Sequence, residues 1–352
     1  MATMQDVARR AGVSLSTVSY ALSGTRSVSA ATRDRVAAAM AELGYTPNAM
    51  ARGLASRRSR VLALVYPAAE RGLGGTVAEF VSAAADTARE NGHHLVLWPF
   101  RTNQADEVRD LVLQGMADGV LVMEVTLDDP RVATLRDAGV PFTMIGRTRD
   151  VGGLPSVDVD FERTTREAVD HLVGLGHRRI AFLNHSEATA TEGYAPTFRA
   201  EEGFAAAMRS HGLEPLTRRV DESPQAGREA LADVLADQPG TTALVTMNEI
   251  ATFGVLAELQ HRGVGVPEQM SVLAIVTSPG VADMSNPPLT TMHAPGAELG
   301  RLAVLNLLSQ VSGEGSPAAG ALIGCTLEPG QSVGPARDAA PASGAAQSPP
   351  RP

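Results

Sequence analysis

Residues 14–20 read Ser-Leu-Ser-Thr-Val-Ser-Tyr, and at helical spacing they sort into two faces. Val18 falls with Ala21 and Leu22 on an apolar side, while Leu15, Ser16 and Tyr20 point outward. An exposed row of one apolar, one hydroxyl and one phenol side chain suits contact with base edges or phosphates. A second candidate is the loop Gly72-Leu73-Gly74-Gly75, which follows an apolar run and precedes an amphipathic stretch, as a dinucleotide site requires. Its fingerprint fails: Val77 takes the third glycine's place, and Trp98-Pro99-Phe100 closes the next run without an acid for a ribose. His93 and His94 are adjacent at a strand start, so both cannot face one site. The lone cysteine, Cys325, excludes an internal disulfide and a cysteine metal site. No nucleophile elbow is present. The chemistry is therefore binding: no enzyme is expected, and neither a metal nor a cofactor.

Short elements must hold the first set. Val7, Ala8 and Ala11 share a helical face, Gly12 breaks that helix, and Ser14 can cap a second one. Two short helices joined by a tight glycine turn form a helix-turn-helix, whose second helix enters the major groove by its N-terminal end. A third helix is expected from Ser29 through Val36, Met40 and Leu43 to Gly44. Thr46-Pro47 can start a fourth, to about Ala55, that is too short to hold alone in water. From Val61 the pattern changes. Apolar runs at Val61–Tyr66, Leu95–Trp98, Gly119–Met123, Phe142–Ile145, Arg179–Leu183, Ala243–Met247 and Ser271–Val276 alternate with amphipathic stretches. The longest of these stretches are Thr76–Asn91, Glu162–Leu175, Phe198–His211 and Glu249–Arg262. Such alternation argues parallel sheets with crossover helices.

The charge is split along the chain. Residues 1–60 hold nine Arg and three acids, net +6, and the rest carries −15 of the total −9. A basic head on an acidic body presents one end to phosphates. No apolar run approaches the ~20 residues that span a bilayer, and Met1 leads straight into a polar helix, so a cytoplasmic protein is expected. Beyond Gly334 the chain is mostly Ala, Pro, Ser and Gly, a composition of disorder.

The N-terminal string resembles the lac-repressor family of bacterial transcription regulators. The resemblance rests on Asp6-Val7-Ala8, Ala11-Gly12-Val13-Ser14, Thr17-Val18-Ser19, Val28-Ser29, Thr32-Arg33, Gly44-Tyr45, Pro47-Asn48, Ala51-Arg52 and Leu54. Further on, His171-Leu172, Leu175-Gly176-His177 and Pro287-Pro288-Leu289-Thr290-Thr291 match two more signatures, with His177 read as structural. The resemblance implies an all-α helix-turn-helix head and an α/β, periplasmic-binding-protein-like body of two parallel-sheet lobes. The head would span 1–46, the hinge helix and linker 47–60, and the effector-binding and dimerisation body 61–334. Lobe 1 would take about 61–158 plus 291–318, lobe 2 about 159–290 plus 319–334, and 335–352 would be a disordered tail. The function implied is a repressor of transcription, controlled by a small molecule between the lobes. DNA contacts would come from Leu15, Ser16, Thr17 and Tyr20 in the head and from Asn48, Arg52 and Leu54 in the hinge, Leu54 wedging into the minor groove. The partners implied are a near-palindromic double-stranded operator and an effector, a sugar or other metabolite. The tail lacks an apolar heptad helix, which leaves a homodimer.

Open α/β sheets bind ligands beyond the carboxyl ends of their strands. The rim would therefore draw on Tyr66–Gly75, Arg101–Asn103, Gly146–Arg147, Asn184–Arg199, Asp221–Ser223, Asn248 and Thr277–Pro279. Tyr66, Phe161, Arg199, Asn248 and Thr277 are the expected effector contacts. The chain departs from sugar-binding relatives in several places. Glu249 stands where Asp is usual, Val276-Thr277-Ser278 lacks the strand-end Asp, and Gly146-Arg147 replaces a second one. Arg199 falls one residue out of the family's register. A ligand with an anionic group for Arg199, or one less hydroxylated than a hexose, is expected beside the sugar alternative. A solute-binding protein without DNA binding is the rival reading, and the complete N-terminal string argues against it.

Overall fold

Val61–Tyr66 (β1) is apolar at every position, so it belongs where both faces are covered. In the computed structural model, which describes residues 2–23, 26–45, 58–67, 75–99, 105–150, 152–313 and 320–337, it lies inside the first of two six-stranded sheets. The other strands of that sheet are His94–Pro99 (β2), Gly119–Val122 (β3), Phe142–Ile145 (β4), Ser156–Val159 (β5) and Ala321–Ile323 (β11), in the order β11-β5-β4-β3-β1-β2. The second sheet contains Ile180–Asn184 (β6), Leu216–Arg219 (β7), Ala243–Thr246 (β8), Ser271–Ile275 (β9), Thr290–His293 (β10) and Thr326–Glu328 (β12). Its order is β12-β10-β9-β8-β6-β7. Every pairing is parallel except β10 with β12. Helices cover both faces, as parallel sheets demand.

The chain passes between lobes three times. The first crossing follows β5. The other two differ from positions 291 and 319. Thr290 and Met292 pair with Leu273 and Ile275, so β10 belongs to lobe 2 and the crossing comes after His293. Ala321 and Ile323 pair with Val157 and Val159, so β11 belongs to lobe 1 and the last crossing lies between Ile323 and Thr326. The Pro287–Thr291 signature thus marks the start of a lobe-2 strand. The ordered body also runs past Gly334, because the Ala336 amide donates to the Leu175 carbonyl at 2.8 Å.

Tight helix crossings fix each lobe. Helices Pro224–Asp237 and Glu249–His261 cross at Gly227 and Gly254, where an added Cβ would lie 2.0 Å from the carbonyl oxygens of Ala251 and Pro224 respectively. Helix Gly296–Ser312 lies on helix Gly75–Glu90 at Gly300, whose missing Cβ leaves room for the Phe80 carbonyl. Gly75 likewise is small because the Val281 side chain sits against it. Cys325 is buried and its thiol is pushed up to about 12 by burial, so it stays protonated and inert. His177 is structural: its Nε2 donates to the Gly334 carbonyl at 3.0 Å and its Nδ1 accepts from the Thr242 hydroxyl at 2.8 Å.

The head is built of Met4–Ala11 (α1), Leu15–Ser23 (α2) and Ala30–Leu43 (α3) around Val7, Ala8, Ala11, Val18, Val36 and Ala39. The chain enters the body at Asp118. That carboxylate accepts from the Ser59 amide at 2.6 Å, the Ser59 hydroxyl at 2.9 Å and the Arg60 amide at 2.8 Å. The hinge residues Asn48, Arg52 and Leu54 lie outside the described residues, as does the chain from 338 onward.

Candidate functional site: a DNA-reading head and a cleft between lobes

Local chemistry explains how α2 is presented. A capping box between Thr3 and Asp6 starts α1, and Gly12 ends it in a left-handed conformation, φ 66°. The Ser14 hydroxyl then accepts from the Thr17 amide at 3.1 Å, which starts α2. Val18 is fully buried, so the helix cannot rotate without exposing it. Leu15 is left 49% exposed and Ser16 is exposed beside it. Tyr20 is half-buried, and the Arg26 guanidinium lies 5.4 Å from its ring centroid. Thr17 is half-buried, its hydroxyl 2.7 Å from that of Ser14.

A cavity of about 750 Å³ opens between the sheets at the carboxyl ends of their strands. This is the size range of small-molecule sites. Lobe 1 supplies Tyr66 at the end of β1, Glu124 after β3, and Thr76 and Val77 from the first turn of helix Gly75–Glu90. Lobe 2 supplies Phe161, His185, Ser186, Thr189, Glu192, Tyr194, Glu222 and the run Met247–Ile250, with Val276 from the end of β9. Glu124 and Val276 both have left-handed backbones, φ 53° and 56°. For a β-branched residue this is strain, costing ~1–3 kcal/mol, of the kind that gathers at ligand sites. The Glu124 carbonyl accepts from Arg131 at 2.9 Å, and Arg131 is itself in a buried pair with Asp129 at 2.6 Å.

Both sides of the cleft are laced across the lobes. On one, the Thr76 hydroxyl donates to Glu249 at 2.7 Å and accepts from the Ser278 amide at 3.1 Å. On the other, the Tyr194 hydroxyl donates to Glu124 at 3.1 Å, the Leu127 amide to the Gly193 carbonyl at 2.8 Å, and the Ala195 amide to the Val125 carbonyl at 3.2 Å. Burial holds the Glu249 carboxyl above its ordinary value, against the pull of Thr76 and with help from Glu79.

Of the expected effector contacts, Tyr66, Phe161 and Asn248 line this cavity. Asn248 is already engaged: its Nδ2 donates to the Val220 carbonyl at 2.8 Å, and its Oδ1 caps the following helix by accepting from the Ala251 amide at 3.0 Å. Thr277 and Arg199 do not line it. Thr277 is buried, with its hydroxyl turned back to the Ile275 carbonyl at 3.2 Å. Arg199 reaches across the lobes instead, donating to the Arg147 and Thr148 carbonyls at 2.9 Å each, 3.7 Å from Asp158. Burial lowers the Arg199 guanidinium and raises the Asp158 carboxyl, each against the pull of its neighbours. Arg147 also turns to Asp158, at 3.0 Å. The anion clamp expected at Arg199 is therefore corrected to a latch between lobes. Glu124 was absent from the expected rim. The signal for it was present, since it directly follows the apolar run Gly119–Met123.

Comparison with known proteins agrees with this build. Residues 3–48 match the family model of bacterial regulatory proteins, lacI family, and residues 169–333 that of the periplasmic binding protein-like domain. The HTH-type transcriptional regulator AscG of Escherichia coli (strain K12) is 31% identical over 320 residues, 89% of this chain and 93% of that protein. The lac repressor dimer bound to operator and the anti-inducer ONPF superposes with a TM-score of 0.80 at 25% identity, covering 95% of this chain and 99% of that one. A complex of the transcriptional regulator CelR with cellobiose gives 0.71 at 28% identity, covering 94% and 100%. With its head, its lobes and their cleft accounted for, the chain belongs to the lacI family of bacterial regulatory proteins, DNA-binding regulators of transcription controlled by small-molecule effectors.

Proposed function

We propose that this regulator works as a homodimeric repressor in the cytoplasm, with no catalytic step of its own. Two heads read the half-sites of a near-palindromic operator, as two-fold symmetry requires. Leu15, Ser16, Thr17 and Tyr20 set base preference and phosphate register, and Asn48, Arg52 and Leu54 act from the hinge. A metabolite in the cleft shifts the lobes and thereby the spacing of the heads. The supporting observation is the 750 Å³ cavity whose walls come from both lobes and whose rim is crossed by lobe-to-lobe hydrogen bonds. The lac repressor and CelR complexes support the same division of labour, and cellobiose marks a sugar as one effector chemistry in a similar protein.

The first test is binding-site selection from random DNA with the purified protein. Exchanging Leu15 and Ser16 should change the preferred bases, at about 1–3 kcal/mol per altered contact. An unchanged preference would remove these residues from the readout.

A further inference from the structure

All eight histidines of the chain lie beyond residue 60, so the head and hinge hold no imidazole to titrate between about pH 5 and 8. One of the eight stands where the linker enters the body. His93 lies between helix Gly75–Glu90 and β2, and its Nε2 is 3.8 Å from Oδ2 of Asp118, the carboxylate that holds the Ser59 and Arg60 amides. The two side chains are only 16% and 7% exposed, so solvent and salt screen the pair little. The other ring nitrogen fixes the tautomer. It lies 2.9 Å from the Asn91 carbonyl oxygen, which can only accept, so Nδ1 carries the hydrogen and donates it. A neutral His93 therefore turns the lone pair of Nε2 toward Asp118, and a proton gained at Nε2 makes that atom a cationic donor. Oδ2 accepts from the Arg60 amide at 2.8 Å and keeps a second acceptor position for it. The other charged groups at this junction are Arg60, Arg58, which donates to the Val311 carbonyl at 3.3 Å, and Glu90 and His94 beside His93 in the chain. Among the described residues, Asp118 is the ion-pair partner that His93 has.

We propose that His93 is a pH-responsive clasp on the linker: its protonated ring tightens the Asp118 anchor and strengthens binding to a complete operator, and its neutral ring loosens both. This rests on the reading that the linker sets the spacing of two heads, and it adds a signal that needs no metabolite. The sign follows from the strain at Arg60. Its backbone is left-handed, φ 56°, a conformation that a residue with a Cβ keeps only when its surroundings hold it. Asp118 holds it at the amide, and the His94 amide donates to its carbonyl at 2.8 Å. At high pH the Nε2 lone pair repels the carboxylate and works against that hold. At low pH the imidazolium attracts the carboxylate and supports it. The anchored state takes up the proton more strongly, so protonation and operator binding favour each other by linkage.

The test measures fluorescence anisotropy of the full-length protein on two duplexes at about pH 6 and about pH 8. One duplex is recovered by binding-site selection, and the other is the same duplex with one half-site scrambled. The ratio of the two affinities reports the pairing of heads and cancels any effect of pH on the head or the DNA. That ratio should be roughly threefold or more higher at the lower pH. Two variants remove the titrating ring. The amide of His93→Asn can still donate to the Asn91 carbonyl, and that of His93→Gln can still reach toward Asp118. In each the ratio should be the same at both pH values, with circular dichroism confirming the fold. A wild-type ratio above one that does not move with pH overturns the clasp, and so does a pH response that survives in a folded variant. Equal affinity for the two duplexes at both pH values removes the paired-head reading, and the clasp with it.

Discussion

At the scale of single residues, what a side chain can reach is set by the element that carries it and by the face that element buries. Leu15 and Ser16 could be placed because one helix carries them and its buried face is fixed by Val18. The cavity draws its lining from strand ends scattered between Tyr66 and Val276. Sequence position could bring Arg199 near the cleft, but the direction of its guanidinium depends on the carbonyls of Arg147 and Thr148, which belong to the other lobe. Glu249 gives a prediction with a definite sign. Burial, opposed by the Thr76 hydroxyl, raises its carboxyl above the ordinary range. A group raised in the folded state contributes stability below its unfolded value and loses it as pH rises through the folded one. At neutral pH the desolvated charge therefore weighs on the fold. Glu249→Gln should raise the melting temperature of the ligand-free protein at about pH 7.5 and leave it nearly unchanged at about pH 4. An equal shift at both values would mean the gain is packing and not charge.

At the scale of elements, the long amphipathic helices and the strands buried on both faces were legible from their periodicity. The strands that escaped notice as apolar runs are short or polar, and most lie toward an edge. β7 is Leu-Thr-Arg-Arg and half-buried throughout, as an edge strand with one solvated face should be. β11 and β12 have three residues each, too few for any period to show. Helix Ala195–Ser210 begins three residues before the expected Phe198 because Pro196 fits a first helical turn. Helix contacts invisible to periodicity are set by glycine. Gly227→Ala would push a methyl to 2.0 Å from the Ala251 carbonyl oxygen, backbone that cannot rotate away. A loss of about 1–3 kcal/mol is expected for overpacking of this kind. Urea denaturation should show it as a lower midpoint with the slope unchanged, and Gly280→Ala, where nothing lies within 4 Å, should serve as the neutral control.

At the scale of the whole molecule, a helical head ahead of an α/β body was legible in the charge split and the change of period at Val61. The two later crossings were displaced by a few residues, because strand pairing and not composition decides them. Head and body meet through a chain segment tied down at Asp118. Asp118→Ala should free that segment, and with it the spacing of two heads on one operator. Fluorescence anisotropy should show ~3–10-fold weaker binding to a complete operator and no change on a single half-site, since only paired heads depend on effective concentration. An unchanged affinity for the complete operator would place the anchor outside the coupling. The woven connectivity of the lobes also bears on how the protein is made. The head is contiguous and can fold as soon as Leu43 has emerged. Lobe 1 waits for Leu299, Ala303, Val304 and Leu307 to cover its sheet, and the two sheets gain their last strands only at Ala321–Ile323 and Thr326–Glu328. At ribosomal rates that interval lasts on the order of tens of seconds. A finished DNA reader would thus hang from an unfinished body, able to touch the genome before it can answer to any metabolite.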